Sequence, residues 1–207
     1  MTTDTLAPET ADLGRTKRLK ARTGATHDRL DAGIMSRAPF SSRERYGLFL
    51  RVQHGFHRQI DALYADPTLD SLLPDLAGRR RLHLIAQDLA DLGLAPPPVV
   101  GAPLFTPGGA VDLPTALGWL YVAEGSNLGA AFLLKAAASL GLNETFGAHH
   151  LAPAPEGRGL HWKTFTAALD ALELSPEEDA RMMAGGEAAF RHVHALVERG
   201  FDAPPAV

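Results

Sequence analysis

The chain has 207 residues, 45% of them hydrophobic, and a formal net charge of -4 at pH 7. That length fits one large domain or at most two small ones with enough apolar mass for a core, and the acidic balance argues against a nucleic-acid binder, which carries a basic excess. The lack of cysteine excludes disulfides, zinc–thiolate sites and thiol catalysis. The opening stretch, MTTDTLAPETADLG, is polar and acidic and has no apolar centre, so it does not read as a signal peptide. No apolar run reaches the length that spans a bilayer. A cytoplasmic protein without a membrane or nucleic-acid partner is expected.

Residues 1–14 read as a disordered tail, and a first helix is predicted from Arg15 to Ile34. A second starts at Ser41, where Glu44 three residues on completes a capping box, and its apolar face carries Phe49, Phe56, Ile60 and Leu63. The segment PDLAGRRRLHLIAQDLADLGL gives a third, with Leu82, Ile85, Leu89 and Leu92 on one side and Gly93 at its end. APPPVVGAPLFTPGGAV is a long loop dense in Pro and Gly. A fourth helix opens at Asp112, with Pro114 in its first turn, and runs into GWLYVAEGSNLGAAFLLKAAASLGL. HWKTFTAALDALEL is next, and a last helix, capped by Ser175, Pro176 and Glu178, reaches about Arg199. β-branched residues are scarce and nothing alternates with period two, so the fold class is all-α, a single domain over 15–200 with a short tail at 201–207.

Gly125 and Gly129 interrupt the fourth helix four residues apart, on one face. Each weakens a helix by roughly 1 kcal/mol relative to alanine, so the pair leaves a costly bare strip of backbone. Close helix–helix packing across small residues is one explanation, and close approach to a ligand is the other. Among the nine histidines, His149 and His150 fall in a loop and read as solvent-exposed. His192 and His194 point to different sides of a helix. His54, His57 and Asp61 share a helical face, yet the Glu-x-x-His motifs of a dinuclear bundle are absent. His83 and His161 have no partner that the sequence identifies. His27 shares a face with Lys20, Gly24, Asp31 and Ile34, which places a basic group about 10 Å along the axis from an imidazole suited to iron. From helical geometry alone, a partly buried histidine on a surface helix is the favoured explanation of this spacing.

ATHDRLD, GWLYVAEGSNLGAAFLLKAA, NETFGAHHL and WKTFTAALDALELSPEE, in that order from about Arg15 to Arg199, resemble the bacterial heme oxygenases. The likeness is greatest to the short soluble branch that serves iron acquisition or accompanies bacterial phytochromes. It implies a helical fold with heme between a proximal N-terminal helix and a glycine-kinked distal helix. His27 then matches the proximal iron ligand. Gly125, Ser126 and Gly129 match the distal glycine segment, Lys20 and Tyr121 the positions that hold the propionates, and Phe190 an aromatic residue lining the pocket. Ser126 stands where the animal enzymes carry an acid.

The implied activity is oxidative cleavage of heme, at once substrate and cofactor, to biliverdin, carbon monoxide and ferrous iron. The implied electron source is an external donor of ferredoxin or reductase type, with a bacterial phytochrome as biliverdin acceptor. Relatives that cut at unusual positions lack the lysine–tyrosine pair, so its presence here implies the α isomer. The rival readings are a heme carrier or sensor without degradation, and a thiamine-degrading type of helical enzyme, which typically needs the cysteine this chain lacks.

Overall fold

The computed structural model describes residues 14–99 and 101–202. Its described residues form seven α-helices: α1 (Arg15–Ser36), α2 (Arg43–Ile60), α3 (Pro67–Leu72), α4 (Leu82–Asp91), α5 (Leu113–Ala138), α6 (Arg158–Ala171) and α7 (Pro176–Asp202). The tail expected over 1–14 lies outside the described residues apart from Gly14. Phe201 and Asp202, expected in a C-terminal tail, continue α7.

Local chemistry sets most boundaries. The Asp112 carboxylate accepts from the Thr115 backbone N–H, with Pro114 in the first turn of α5. Ser175 and Glu178 form a reciprocal capping box at the start of α7, at 2.8 and 3.2 Å. At α2 the cap is Ser42 rather than Ser41, and its hydroxyl accepts from the Arg45 N–H. The preceding turn, which holds Ala38 at a φ of 45°, brings the chain in so that Ser42 takes the extended conformation. The third helix begins at Leu82, and the residues before it make a turn and a short 3-10 helix, Ala77–Arg79. Leu63, expected on the second helix, falls instead in another 3-10 segment, Asp61–Ala65, and α3 fills a stretch that the sequence periodicity leaves blank.

The centre of the molecule is the pairing of α5 with α7, and α1 and α2 also lean on α7. The α5–α7 crossing works because both helices lack side chains there. A Cβ at Gly118 would sit 2.2 Å from the Met182 carbonyl oxygen and 2.6 Å from the Gly186 nitrogen, and one at Gly185 would sit 2.5 Å from the Thr115 oxygen. Leu19 and Thr23 of α1 reach the same point, within 3.3 and 3.8 Å of a Cβ at Gly186. Arg15 and Arg18 pair with Asp179, and Arg22 with Glu187, which fixes the rotation of α1 against α7. These partly exposed pairs each add little stability. The main core lies around the crossing, and a second apolar cluster lies under α2, α4 and the C-terminal half of α5.

Candidate functional site

α5 stays helical through its glycines, so they strip its surface without ending it. Gly118, Tyr121, Gly125, Leu128, Gly129 and Phe132 follow at three- and four-residue spacings, which is one helical face. At Gly118 that face is pressed on α7, but from Gly125 onward it is uncovered. A Cβ at Gly129 would meet nothing within 4 Å, and one at Gly125 only the edge of Trp162 at 3.7 Å. Leu128 is 43% exposed and Phe132 81% exposed. The packing explanation for glycine therefore holds at Gly118, Gly185 and Gly186, and not at Gly125 or Gly129.

Past the crossing on α1 lies His27, half exposed, with its ring 6.0 Å edge-on from that of Phe190 on α7. Its Nδ1 is 3.4 Å from Asp28 and 3.8 Å from Asp31. Both carboxylates face Nδ1 rather than Nε2, the side on which metal-binding histidines commonly carry a carboxylate partner. Tyr121 is buried against Trp162, with ring centroids 5.4 Å apart. Burial, and then the charge of Asp170, raise its hydroxyl pKa. Asp170 accepts from the backbone N–H and hydroxyl of Thr16, one turn before the exposed Lys20.

Behind the glycine face lie two cavities the size of one or two waters. One is lined by Gln53, His57, Arg81, Ser126, Asn127 and His150, among others; the other shares Arg81 and Asn127 and adds Glu124, Arg158, His161 and Trp162. Arg81 Nε, Asn127 Nδ2, His57 Nδ1, His150 Nε2 and His161 Nε2 are all buried without a hydrogen-bond partner. Buried polar groups are normally satisfied by protein or water, so these atoms mark a wet compartment. Burial pushes the His57 pKa down to about 3, with His150 and Arg81 acting in the same direction, and the ring is neutral. The Ser126 hydroxyl donates to the Ala123 carbonyl at 2.7 Å.

Glu124 is fully buried and pairs with Arg79 at 2.9 Å. Arg79 also donates to the Pro74 and His161 carbonyls, tying the 3-10 turn to α5 and α6. His161 lies between Glu124 at 3.5 Å and Glu156 at 2.7 Å, and these carboxylates raise its pKa against the effect of burial. His149 and His150, expected to be exposed, are not. Asp88 of α4 holds both imidazoles, and His150 is 5% exposed. His57 and Asp61 share no site, since His57 is buried and Asp61 pairs with Arg80.

The site is that of a helical protein with an uncovered apolar face on α5 and a half-exposed imidazole on α1, and the similarities to known proteins place the chain in the heme oxygenase family. A heme oxygenase family profile matches residues 105–199. Heme oxygenase PigA of Pseudomonas aeruginosa is 43% identical over 199 residues, covering 96% of this chain and 99% of that protein. The NO- and CO-bound heme oxygenase of Neisseria meningitidis superposes with a TM-score of 0.85 at 42% identity, covering 94% of this chain and 96% of that one. No helix among the described residues is long and apolar enough to cross a membrane.

Proposed function

We propose that this chain binds heme on the uncovered α5 face and opens the ring oxidatively to biliverdin, carbon monoxide and ferrous iron. The observation that carries this reading is that Gly125 and Gly129 are bare yet unpacked. A helix accepts that weakening where something other than protein must come close. Heme supplies the redox iron and the ring that is oxidised. His27 Nε2 would hold the iron, with Phe190 beside it, and Leu128 and Phe132 would cover apolar ring surface. Lys20 offers a mobile charge and Tyr121 a hydroxyl donor, which suit the two propionates. Ser126 borders the polar cavity, and waters bridging Gln53, His57, Arg81 and Asn127 supply protons to the distal side. The bare backbone at Gly125 and Gly129 would leave room for the ring and for oxygen beside it. Electrons come from an external ferredoxin or reductase in the cytoplasm, and a bacterial phytochrome is the acceptor we assign to the product.

The presence of both Lys20 and Tyr121, the pair the resemblance assigns to the propionates, supports ordinary seating of the ring and the α isomer. The test loads heme anaerobically, then adds oxygen and a reductant. Loss of the Soret band with release of a bilin is expected; a persistent band would make the chain a heme carrier or sensor. Chromatography of the product should show mainly α-biliverdin, and Lys20→Asn with Tyr121→Phe should add other isomers. Mainly β or δ product from the unmodified chain would refute the seating.

A further inference from the structure

Asp88 is an acid on the apolar side of α4, and none of its side chain is exposed. Its two oxygens accept four hydrogen bonds. Oδ1 takes the backbone N–H and ring Nδ1 of His149, both at 2.7 Å. Oδ2 takes the backbone N–H of His150 at 3.1 Å and its ring Nδ1 at 2.5 Å. The backbone bonds alone would close the 3-10 turn His149–Leu151. The ring bonds do something more, because they fix which nitrogen of each imidazole carries the proton.

For His150 the consequence reaches the polar cavity. With Nδ1–H given to Asp88, the other nitrogen, Nε2, is buried without a protein partner, and the residue lines the cavity beside His57, Arg81, Ser126 and Asn127. We infer that Asp88 is a positioning residue that holds His150 as the acid–base group of this cavity, an inference that rests on the heme-degrading function proposed above. In the acid direction the Nε2–H bond breaks, its electron pair stays on the ring, and the proton joins a cavity water. In the base direction the Nε2 lone pair takes a proton back from that water, and Nδ1–H stays on Asp88 throughout. A buried carboxylate on the far nitrogen sets the tautomer and stabilises the charged ring, the logic of the catalytic triad.

The groups around His150 set its balance. The charged and titratable groups that face it are Asp88 of α4, Arg81 just before α4 and the neutral His57 of α2, and the Phe49 ring of α2 lies 6.2 Å away. Burial pushes the Asp88 carboxyl up, but the hydrogen bonds from His150 and His149 outweigh this and hold it below the usual carboxylate range, so Asp88 stays charged. His149 shares Asp88 and lies 3.4 Å from Asp91, but it does not line the cavity. That makes it an internal control.

The test uses the full chain with Asp88→Asn, His150→Gln, the double variant and His149→Gln. In the unloaded protein, nitrogen-15 NMR of the histidines should show His150 as the Nδ1–H tautomer, and Asp88→Asn should populate Nε2–H. In the heme-loaded protein, Asp88→Asn and His150→Gln should each slow Soret loss about 100-fold and shift its pH profile. The double variant should be no slower than the slower single, because the two act as a unit. His149→Gln should keep the wild-type rate. An Nε2–H tautomer in the wild type, multiplicative losses in the double variant, or an equal loss in His149→Gln would overturn the assignment. Should Asp88→Asn not fold, the wild-type tautomer and the His150→Gln rate and pH profile decide it. Should wild-type protein leave heme intact, the proposed function falls, and the tautomer measurement still tests the pairing.

Discussion

Two alanine substitutions in one helix separate a glycine kept for packing from a glycine kept for a ligand. Gly118 and Gly129 both lie inside α5, so Gly→Ala brings the same gain in helix propensity, about 1 kcal/mol, and that gain cancels in the comparison. What remains is space. At Gly118 the new Cβ would stand 2.2 Å from a carbonyl oxygen and 2.6 Å from an amide nitrogen, both backbone atoms of α7. Contact distances run at about 3.5 Å, so the two helices must separate by about 1 Å along the largest interface of the fold. Overpacking of that kind costs about 1–3 kcal/mol or more. At Gly129 the Cβ meets nothing within 4 Å. Gly129→Ala should therefore raise the melting temperature of the unloaded protein by about 2–4 °C, with Gly118→Ala below it by the overpacking cost. Urea and thermal unfolding by circular dichroism measure both. Gly129→Leu should also stay folded, yet lose heme affinity and turnover. Equal destabilisation by alanine at 118 and 129 would refute the argument, since it would make Gly129 a packing residue.

His27→Ala should leave the unfolding curve close to that of wild type, because the ring is half exposed. It should also remove the histidine-ligated heme spectrum and stop turnover, with added imidazole restoring part of both. Wild-type turnover in this variant would show that His27 is not the ligand. His57 carries a pH prediction. Its native ring stays neutral down to about pH 3, whereas an unfolded histidine takes a proton near pH 6.5. Between these values the unfolded state binds more protons, so this contribution is complete above about pH 6.5 and is lost as the pH falls, by about 1.4 kcal/mol per unit. Urea titrations at pH 7 and 5.5 should show a loss that His57→Gln reduces by that slope; identical slopes would contradict the burial argument.

The helices announced themselves wherever local chemistry governs them. Asp112 with Pro114, and Ser175 with Glu178, are short-range signals, and the structure keeps both. Ser41 and Ser42 are equally good caps in isolation, and the turn before them, a tertiary matter, picks the second. Between Asp61 and Arg79 the sequence misleads or is silent, extending the second helix to Leu63 and starting the third at Pro74, because one-turn elements are too short to show a period. The polar interior behind α5 was hidden for another reason: Asp88 meets His150 across 62 positions and Arg79 meets Glu124 across 45. A signal did exist. Glu124 is the only charge between Asp112 and Lys135, and Asp88 lies between Ile85 and Leu92 on an apolar stripe. An acid in such a place requires a buried partner. Spacing alone singled out the Gly125–Gly129 strip and the face shared by Lys20 and His27, but the heme roles proposed for these residues rest on the resemblance, and Tyr121 and Phe190 are buried like ordinary core residues, so no pattern marks them.

The apolar α5 face left open beyond Gly125 also bears on how long the protein lasts in a cell. An unloaded chain presents Leu128 and Phe132 to water, a surface that invites aggregation and proteolysis. A ligand that covers the face adds RT ln(1 + [L]/Kd) to folding stability, about 2.7 kcal/mol when it is present at 100 times its Kd. On the heme-binding function proposed above, the folded fraction would therefore rise with the supply of heme, and the purified chain should resist proteolysis better when loaded than when empty.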